Sequence, residues 1–285
     1  MHIFTTHTKL QNYLQCLDTQ TIGFVPTMGA LHDGHASLIR RAKKENDITL
    51  VSIFVNPRQF NDAADYEKYP RTTDNDLFLL ESIDCDVVYL PQEDDIYANF
   101  NSCKIDFKGL DKIYEGQFRA GHFQGVVDVV YRLFDIVKPT NAYFGEKDFQ
   151  QLAIIKLMVE QKNLPINIVS CEIVREASGL AMSSRNKRLS ADKLKFAAEI
   201  YRILQENCKF IERNLNKLSE QIINEINNVP FLETEYVIFC KSDTLEQIYE
   251  YDENIKTRIC VAVWCGNVRL IDNFCVSMAG EINNL

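Results

Sequence analysis

The sequence predicts an α/β fold with a doubly wound parallel sheet in its N-terminal part and a smaller α+β domain at its C-terminal end. Runs of strand-like residues recur at wide spacing along the first half of the chain. Segments with helical spacing of apolar residues lie between these runs, and such alternation is typical of a sheet with helices on both faces. A hairpin pattern near the C-terminal end indicates antiparallel strands instead.

The predicted N-terminal strands are apolar on nearly every residue, as in positions 50–55, Leu-Val-Ser-Ile-Phe-Val. Strands that are covered on both faces have this character, so the sheet is expected to be parallel. The predicted strands span residues 22–25, 48–55, 86–90, 141–144 and 166–174, and the predicted helices lie around 77–83, 126–137 and 152–159.

The character of the chain changes near Arg175. Residues 175–188 are rich in small and charged side chains, which predicts a linker or a long loop. Ser190 is a typical N-cap residue for the helical pattern that follows it. Residues 259–265 and 268–271 flank Gly-Asn, which predicts a hairpin with a two-residue turn. We therefore predict a Rossmann-like domain over residues 1–175 and a smaller α+β domain over 176–285.

Composition limits the classes of function. The chain has 285 residues and a net charge of −9, so nucleic acid is not expected as a partner. Its nine cysteines form no C-x-x-C pair, which favours free thiols in a cytoplasmic protein. The N-terminal residues lack the pattern of a secretory signal. No window approaches the ~20 apolar residues that span a bilayer, so no membrane is expected as a partner.

The turn at positions 26–35, Pro-Thr-Met-Gly-Ala-Leu-His-Asp-Gly-His, carries the strongest chemical signal. Gly29 and Gly34 allow the backbone to approach a ligand closely, and the N-terminus of the following helix favours an anion. His32 and His35 are two of the five histidines of the chain and can donate hydrogen bonds to phosphate oxygens. The turn therefore predicts a phosphate site. The alternative is an ordinary strand-to-helix turn with two surface histidines.

Two further segments follow predicted strands, and ligands of open α/β sheets bind at the carboxyl ends of strands. Asn56 and Gln59 are neutral amides suited to a small polar substrate, although Asn-Pro is also ordinary turn chemistry. Lys147 lies in the first turn of a predicted helix, where a cation is unfavourable. It therefore indicates an anion that needs neutralising, such as phosphate.

Two more segments could add to the site. Residues 182–188, Met-Ser-Ser-Arg-Asn-Lys-Arg, offer hydroxyl groups and cations, and Arg185 can pair phosphate oxygens in a forked geometry. A solvated linker would have a similar composition. In the glycine-bearing stretch 115–125, Arg119 and His122 could meet a carboxylate, although a solvated surface loop is the simpler interpretation.

In this order, the segments resemble the pantoate–β-alanine ligase family, which belongs to the nucleotidyltransferases with a His-x-Gly-His turn. The resemblance extends from Thr21 to Asn273. Its motifs are PTMGALHxGH, FVNPxQF, YPRT, FGEKDxQQ and MSSRN, and their conjunction is very specific. The resemblance implies a nucleotide-binding domain joined to a smaller C-terminal domain, in a cytoplasmic homodimer.

The resemblance also implies a two-step reaction. Pantoate attacks the α-phosphate of Mg-ATP to give pantoyl adenylate and diphosphate, and the amine of β-alanine then displaces AMP to give pantothenate. The adenylate must be shielded from water, which gives the C-terminal domain the role of a lid.

Roles for individual residues follow from the same resemblance. The implied proton donor is His35. His32, Lys147 and Arg185 are expected as further catalytic residues, because they can supply donors for the charge that builds on the phosphates. The implied ATP-binding residues are Met28, Gly29, Ala30, Leu31, His32, Asp33, Gly34, His35, Gly145, Glu146, Lys147, Asp148, Val174, Met182, Ser183, Ser184 and Arg185. The implied substrate-binding residues are Gln59 and Gln151, which hold pantoate. Asn56, Arg119 and His122 are expected as further substrate-binding residues from their own segments, as described above. The Mg²⁺ ligands are left unassigned, and the segment with Asp74 and Asp76 could supply one.

Two other functions compete with this one. An adenylyltransferase with a phosphate-bearing acceptor would use the same turn, but it needs cations for the second phosphate, and the amides after the strands are neutral. A catalytically inactive nucleotide-binding module is disfavoured by the intact set of His35, Lys147 and Arg185.

Overall fold

The structure is a computed structural model that describes residues 1–17, 20–98, 100–209, 211 and 213–276. The chain divides into two compact units, Met1–Ile173 and Val174–Leu285. Among the described residues, each unit has its own apolar core.

The first unit is built on a sheet whose described strands all pair in parallel, in the order β1-β4-β3-β2-β5-β6. The strands are β1 (His2–Phe4), β2 (Ile22–Thr27), β3 (Ile48–Ile53), β4 (Val87–Tyr89), β5 (Asn141–Gly145) and β6 (Asn167–Cys171). The predicted parallel sheet is confirmed. Strand β1 was not predicted, because three residues at a sheet edge carry too short a pattern.

Helices cover both faces of this sheet. They are α1 (His7–Gln15), α2 (Asp33–Glu45), α3 (Ala63–Glu67), α4 (Thr73–Ser82), α5 (Glu93–Tyr97), α6 (Glu115–Phe118), α7 (His122–Val137) and α8 (Phe149–Gln161). Phe24 and Leu50 pack with residues of α7 and α8, whereas the adjacent Val25 and Val51 pack with residues of α2 and α4. Because neighbouring residues of a strand point to opposite faces, this explains the continuous apolar runs.

The strand order reverses beside β2. Strands β3 and β4 follow on one side of β2, and β5 and β6 lie on its other side. The carboxyl ends of β2, β3 and β5 are therefore neighbours, since β2 pairs with both of the others. Ligands of open α/β sheets bind at such a reversal, and the segments that leave these three strand ends carry three of the five motifs.

The second unit contains an antiparallel sheet of β7 (Leu232–Lys241), β8 (Thr257–Cys265) and β9 (Val268–Val276). Helices α9 (Ala191–Cys208) and α10 (Leu215–Asn227) pack on it, with apolar residues of β8 such as Val261 in the shared core. The predicted hairpin is confirmed, with Gly266 at φ +61° in its turn. Ser190 caps α9 as expected, its hydroxyl accepting from the Lys193 amide at 3.4 Å.

Two segments predicted as loops are more ordered than expected. Residues 174–182 fold back on themselves, because Arg175 and Ala181 form an antiparallel bridge and Met182 N–H donates to the Val174 carbonyl at 3.0 Å. A 3₁₀ turn, Ser184–Arg188, follows. In the first unit, residues 115–125 form α6 and the first turn of α7. Within the residues that the structure describes, no helix is both long enough and apolar enough to cross a membrane.

Candidate active site

The turn between β2 and α2 has an unusual backbone. Gly29 and Ala30 both adopt left-handed conformations, with φ of +78° and +50°. A Cβ on residue 29 would lie 2.9 Å from the Ile53 side chain, so glycine is required there for space as well as for conformation. This turn brings the chain from the centre of the sheet directly to the N-terminus of α2.

His32 is the N-cap of α2. Its Nδ1 accepts a hydrogen bond from the Gly34 amide at 3.2 Å. An accepting Nδ1 carries no proton, so the neutral ring of His32 has its proton on Nε2, where it is a donor. The rings of His32 and His35 lie 4.1 Å apart between centroids. The helix start thus combines the positive end of a helix dipole with two adjacent imidazoles, which suits a phosphate group.

Asn56, after β3, is fully engaged by protein partners. It is 1% exposed. Its Nδ2 donates to Gln59 Oε1 at 3.1 Å and to the Gly125 carbonyl at 3.0 Å. Its Oδ1 accepts from the Arg58 amide at 3.2 Å and from the Tyr97 hydroxyl at 2.8 Å. These four bonds use the hydrogen-bonding capacity of the amide, so Asn56 orients Gln59 rather than offering an open group to a ligand.

Gln59 connects three segments of the site. Its Nε2 donates to Met28 Sδ at 3.0 Å, which joins it to the turn after β2. Its Oε1 accepts from Asn56, and its backbone carbonyl accepts from His122 Nδ1 at 2.8 Å. The structure thus brings together Met28, Asn56, Gln59 and His122, which the sequence analysis had singled out in separate motifs.

His122 is the first residue of α7 and is 5% exposed, so the interpretation of this stretch as a solvated surface loop is wrong at this position. Burial, with Arg119 nearby, lowers the pKa of His122 to about 3. Its Nδ1 must carry the proton, because its partner is a carbonyl oxygen. A neutral His122 therefore has an unprotonated Nε2, which accepts a hydrogen bond and brings no positive charge to a carboxylate.

Arg119 is a cation beside His122. Its guanidinium lies 3.8 Å from the buried Glu115 carboxylate, and its side chain is 18% exposed. The loop before Glu115 is held by Gln150, which donates to the carbonyls of Leu110 at 2.6 Å and Ile113 at 2.9 Å. Gln150 also accepts from the Glu115 amide at 3.1 Å. Gln150, the first glutamine of the Gln-Gln pair, therefore stabilises this loop.

The segment after β5 differs in detail from its prediction. Glu146–Asp148 form a 3₁₀ turn, and α8 begins only at Phe149. Lys147 thus lies in the turn before the helix rather than in the first turn of α8. It remains at the carboxyl end of β5, which is paired with β2. Gln151 is half-buried in the first turn of α8.

The remaining predicted residues, Val174 and 182–185, belong to the second unit. Ser183 caps the 3₁₀ turn, its hydroxyl accepting from the Arg185 amide at 3.3 Å. Ser184 is buried, and Met182 and Arg185 are half-buried. The Val174 carbonyl accepts from the Met182 amide. Within its own unit, this segment is an ordered turn.

Sequence reasoning missed the roles of several residues that hold the site. Tyr97 and Gly125 complete the bonds of Asn56, and burial raises the pKa of the Tyr97 hydroxyl, so it is a neutral donor. The buried Asp76 accepts bonds from the turn after β2. No sequence motif could reveal these roles, because these hydrogen-bond partners lie far from each residue in the sequence. Among the described residues, no group of three or more His, Cys, Asp or Glu side chains could hold a metal ion.

Comparison with known proteins gives a consistent result. The family described as pantoate-beta-alanine ligase matches residues 2–275. The pantothenate synthetase of Phocaeicola vulgatus is 46% identical over 277 residues, which cover 96% of this chain and 98% of that protein. That of Cytophaga hutchinsonii is also 46% identical, with coverage of 90% and 92%.

Solved structures agree. The pantothenate synthetase of Thermus thermophilus superposes with a TM-score of 0.90 at 36% identity, covering 97% of this chain and 100% of that one. The pantoate-beta-alanine ligase of Francisella tularensis, solved in a complex with beta-gamma ATP and beta-alanine, has a TM-score of 0.83 at 39% identity. The superposed region covers 96% of this chain and 97% of the Francisella tularensis chain. The two-domain fold expected from the sequence is thus found in these relatives.

Proposed function

The chain belongs to the pantoate–β-alanine ligase family, and on this basis we propose that it condenses pantoate with β-alanine, using ATP, to give pantothenate, AMP and diphosphate. One observation carries the proposal: Gln59, a neutral amide, lies against the histidine-bearing turn, with its Nε2 3.0 Å from Met28 Sδ. A site that binds a phosphate chain and an uncharged hydroxyl-bearing group side by side suits the activation of an acid by ATP.

In the first step, a pantoate carboxylate oxygen bonds to the α-phosphorus of ATP, and the bond from that phosphorus to diphosphate breaks. Negative charge grows on the departing oxygens, and donors already in place stabilise it. We assign His32, through its Nε2–H, with His35 and Lys147, to this role. His35 is the proposed proton donor. Arg185 is proposed as a further phosphate ligand.

In the second step, the amine of β-alanine attacks the acyl carbon of pantoyl adenylate. A C–N bond forms, the bond from the acyl carbon to AMP breaks, and the amine loses a proton. We propose that Arg119 faces the β-alanine carboxylate, because neutral His122 has no charge for it. The unprotonated Nε2 of His122 is suited to accept a hydrogen bond from a donor such as the amine.

Gln59 and Gln151 are proposed to bind the pantoate hydroxyls. Asn56 is proposed to orient Gln59 through its hydrogen bond to Gln59 Oε1. The proposed ATP ligands also include residues 28–35, Gly145 to Asp148, Val174 and 182–184. At Ala30 and Leu31, the backbone amides already donate to Asp76, so contacts with ATP there would use other atoms. The lid role of the second unit stays a prediction.

We propose that Mg²⁺ enters with ATP. Mg²⁺ commonly keeps phosphate oxygens and waters as ligands, with one or two carboxylates at most. The proposal therefore assigns no cage of protein ligands to the ion, and the described part of the chain has no group of three or more His, Cys, Asp or Glu side chains that could form one. Bound there, the ion would neutralise phosphate charge. A homodimer in the cytoplasm is the proposed state of the protein.

The test is an assay with ATP, pantoate and β-alanine in which each is omitted in turn. We expect pantothenate and AMP only with all three, and diphosphate release with ATP and pantoate alone. A stable product that joins AMP to a phosphate-bearing acceptor would instead favour an adenylyltransferase. No diphosphate release under any condition would indicate an inactive nucleotide-binding module.

A further inference from the structure

Asp76, in α4, is a buried carboxylate whose bonds reach the histidine-bearing turn. It is 2% exposed. Its Oδ2 accepts from the Ala30 amide at 2.9 Å, and its Oδ1 accepts from the Leu31 amide at 2.8 Å. The Thr72 hydroxyl donates to Oδ1 at 3.0 Å. Two consecutive backbone amides and one hydroxyl thus converge on one side chain.

The part of the turn that Asp76 holds is conformationally costly. Ala30 has a φ of +50° and is fully buried. A left-handed backbone is disfavoured for alanine, because its Cβ crowds the following carbonyl. Such a conformation persists where surrounding contacts over-determine it, and the bonds from Ala30 and Leu31 to Asp76 are contacts of that kind. The next residue is His32, whose ring caps α2.

We propose that Asp76 is a positioning residue for the adenylation step, acting through the backbone of Ala30 and Leu31 to place His32 and His35. This inference rests on the proposed function. The three bonds take up most of the roughly four acceptor positions of a carboxylate. Asp76 is therefore assigned to the turn and not to a Mg²⁺ ion, which the sequence alone had left open.

Asp76→Asn is the direct test. The amide keeps the size of the carboxylate, but its NH₂ group faces a backbone N–H and cannot accept from it. We expect pantoate-dependent diphosphate release to fall about 10- to 100-fold, as for a lost hydrogen bond to a charged group. The second half-reaction, measured with saturating prepared pantoyl adenylate and β-alanine, should change less than about twofold. The matched control is Glu81→Gln on the exposed face of α4, which should match the wild type in both steps.

The split between the two half-reactions separates positioning from folding. A merely structural role would lower both steps in proportion to the folded fraction, and this outcome would overturn the inference. Recovery of the Asp76→Asn rate by raised Mg²⁺ would also overturn it, because it would identify Asp76 as a metal ligand. Adding Ala30→Gly to Asp76→Asn should restore part of the adenylation rate, since glycine adopts the left-handed conformation without the carboxylate.

A less disruptive substitution tests the same inference if Asp76→Asn does not fold. Thr72→Val removes one donor to Asp76, and the Thr72 side chain makes no capping bond to α4. We expect adenylation to fall about two- to fivefold, with the second half-reaction unchanged. An unchanged adenylation rate in a folded Thr72→Val would contradict the inference. Failure of the proposed function is distinguishable, because the wild type itself would then release no diphosphate.

Discussion

Gly125 lies where α7 passes close to the backbone of residues 57–59. A Cβ on residue 125 would lie 2.2 Å from the Arg58 carbonyl oxygen and 2.8 Å from the Gln59 nitrogen. Ordinary contact of a Cβ begins at 3.4 Å, so Gly125→Ala requires the two backbones to separate by about 1.2 Å. Both neighbours are backbone atoms and cannot rotate away.

Gly125→Ala has one stabilising effect and two destabilising effects on the folded protein. Alanine is favoured over glycine in a helix by about 1 kcal/mol. Overpacking costs about 1–3 kcal/mol. The separation would also break two hydrogen bonds across this contact, from Asn56 Nδ2 to the Gly125 carbonyl at 3.0 Å and from His122 Nδ1 to the Gln59 carbonyl at 2.8 Å. Each is worth about 1 kcal/mol. We therefore expect the free energy of unfolding to fall by roughly 2–4 kcal/mol.

The same shift displaces Gln59, so the KM for pantoate should rise about tenfold, which corresponds to about 1.4 kcal/mol, the size of one lost hydrogen bond to the substrate. Urea unfolding and steady-state kinetics measure the two effects. Gly23→Ala is the control, since its Cβ would meet the Asn46 side chain at 2.5 Å, away from the site. That variant should lose stability with an unchanged KM. A Gly125→Ala enzyme with the stability and KM of the wild type would refute the reasoning.

Three other residues of the site give further predictions. Lys147→Ala should slow adenylation by roughly two orders of magnitude, because it removes a cation from the phosphates. Unchanged diphosphate release, with Lys156→Ala as the exposed control, would exclude that role. Gln151→Ala should mainly weaken pantoate binding, and a pantoate response equal to wild type would argue against it. His122, with its pKa lowered to about 3 from 6.5, should contribute stability that is full above about pH 6.5 and lost as the pH falls towards 3, since the unfolded chain binds the proton first. An NMR titration of His122 with a midpoint near 6.5 would contradict this.

Much of the fold could be predicted because its causes are local. Continuous apolar runs such as 50–55 reflect strands covered on both faces, and the Gly-Asn turn at 266–267 matches its hairpin. Strand β1 escaped prediction because its few residues gain their stability from pairing with β4. Residues 174–182 escaped it because their order comes from bonds that close the segment on itself, as between Met182 and Val174.

The site, like the fold, has features that are local in the sequence and features that depend on contacts between distant residues. The sequence by itself determined which residue types leave the strand ends: the histidines of the turn, Lys147 and the amides Asn56 and Gln59. Only the tertiary structure decided the hydrogen-bond partners and the burial of the site residues. It engages Asn56 with four protein partners and makes His122 neutral by burial.

Asp76 shows the physical reason. A carboxylate in a sequence fits a metal ligand, a helix-start charge or a clamp equally well, because each role uses the same oxygens. Its role depends on which donors reach those oxygens and on whether water is excluded. Here two of the three donors lie 45 and 46 residues away, and packing leaves the side chain 2% exposed. The contacts with these donors and the exclusion of water arise only when the chain is folded.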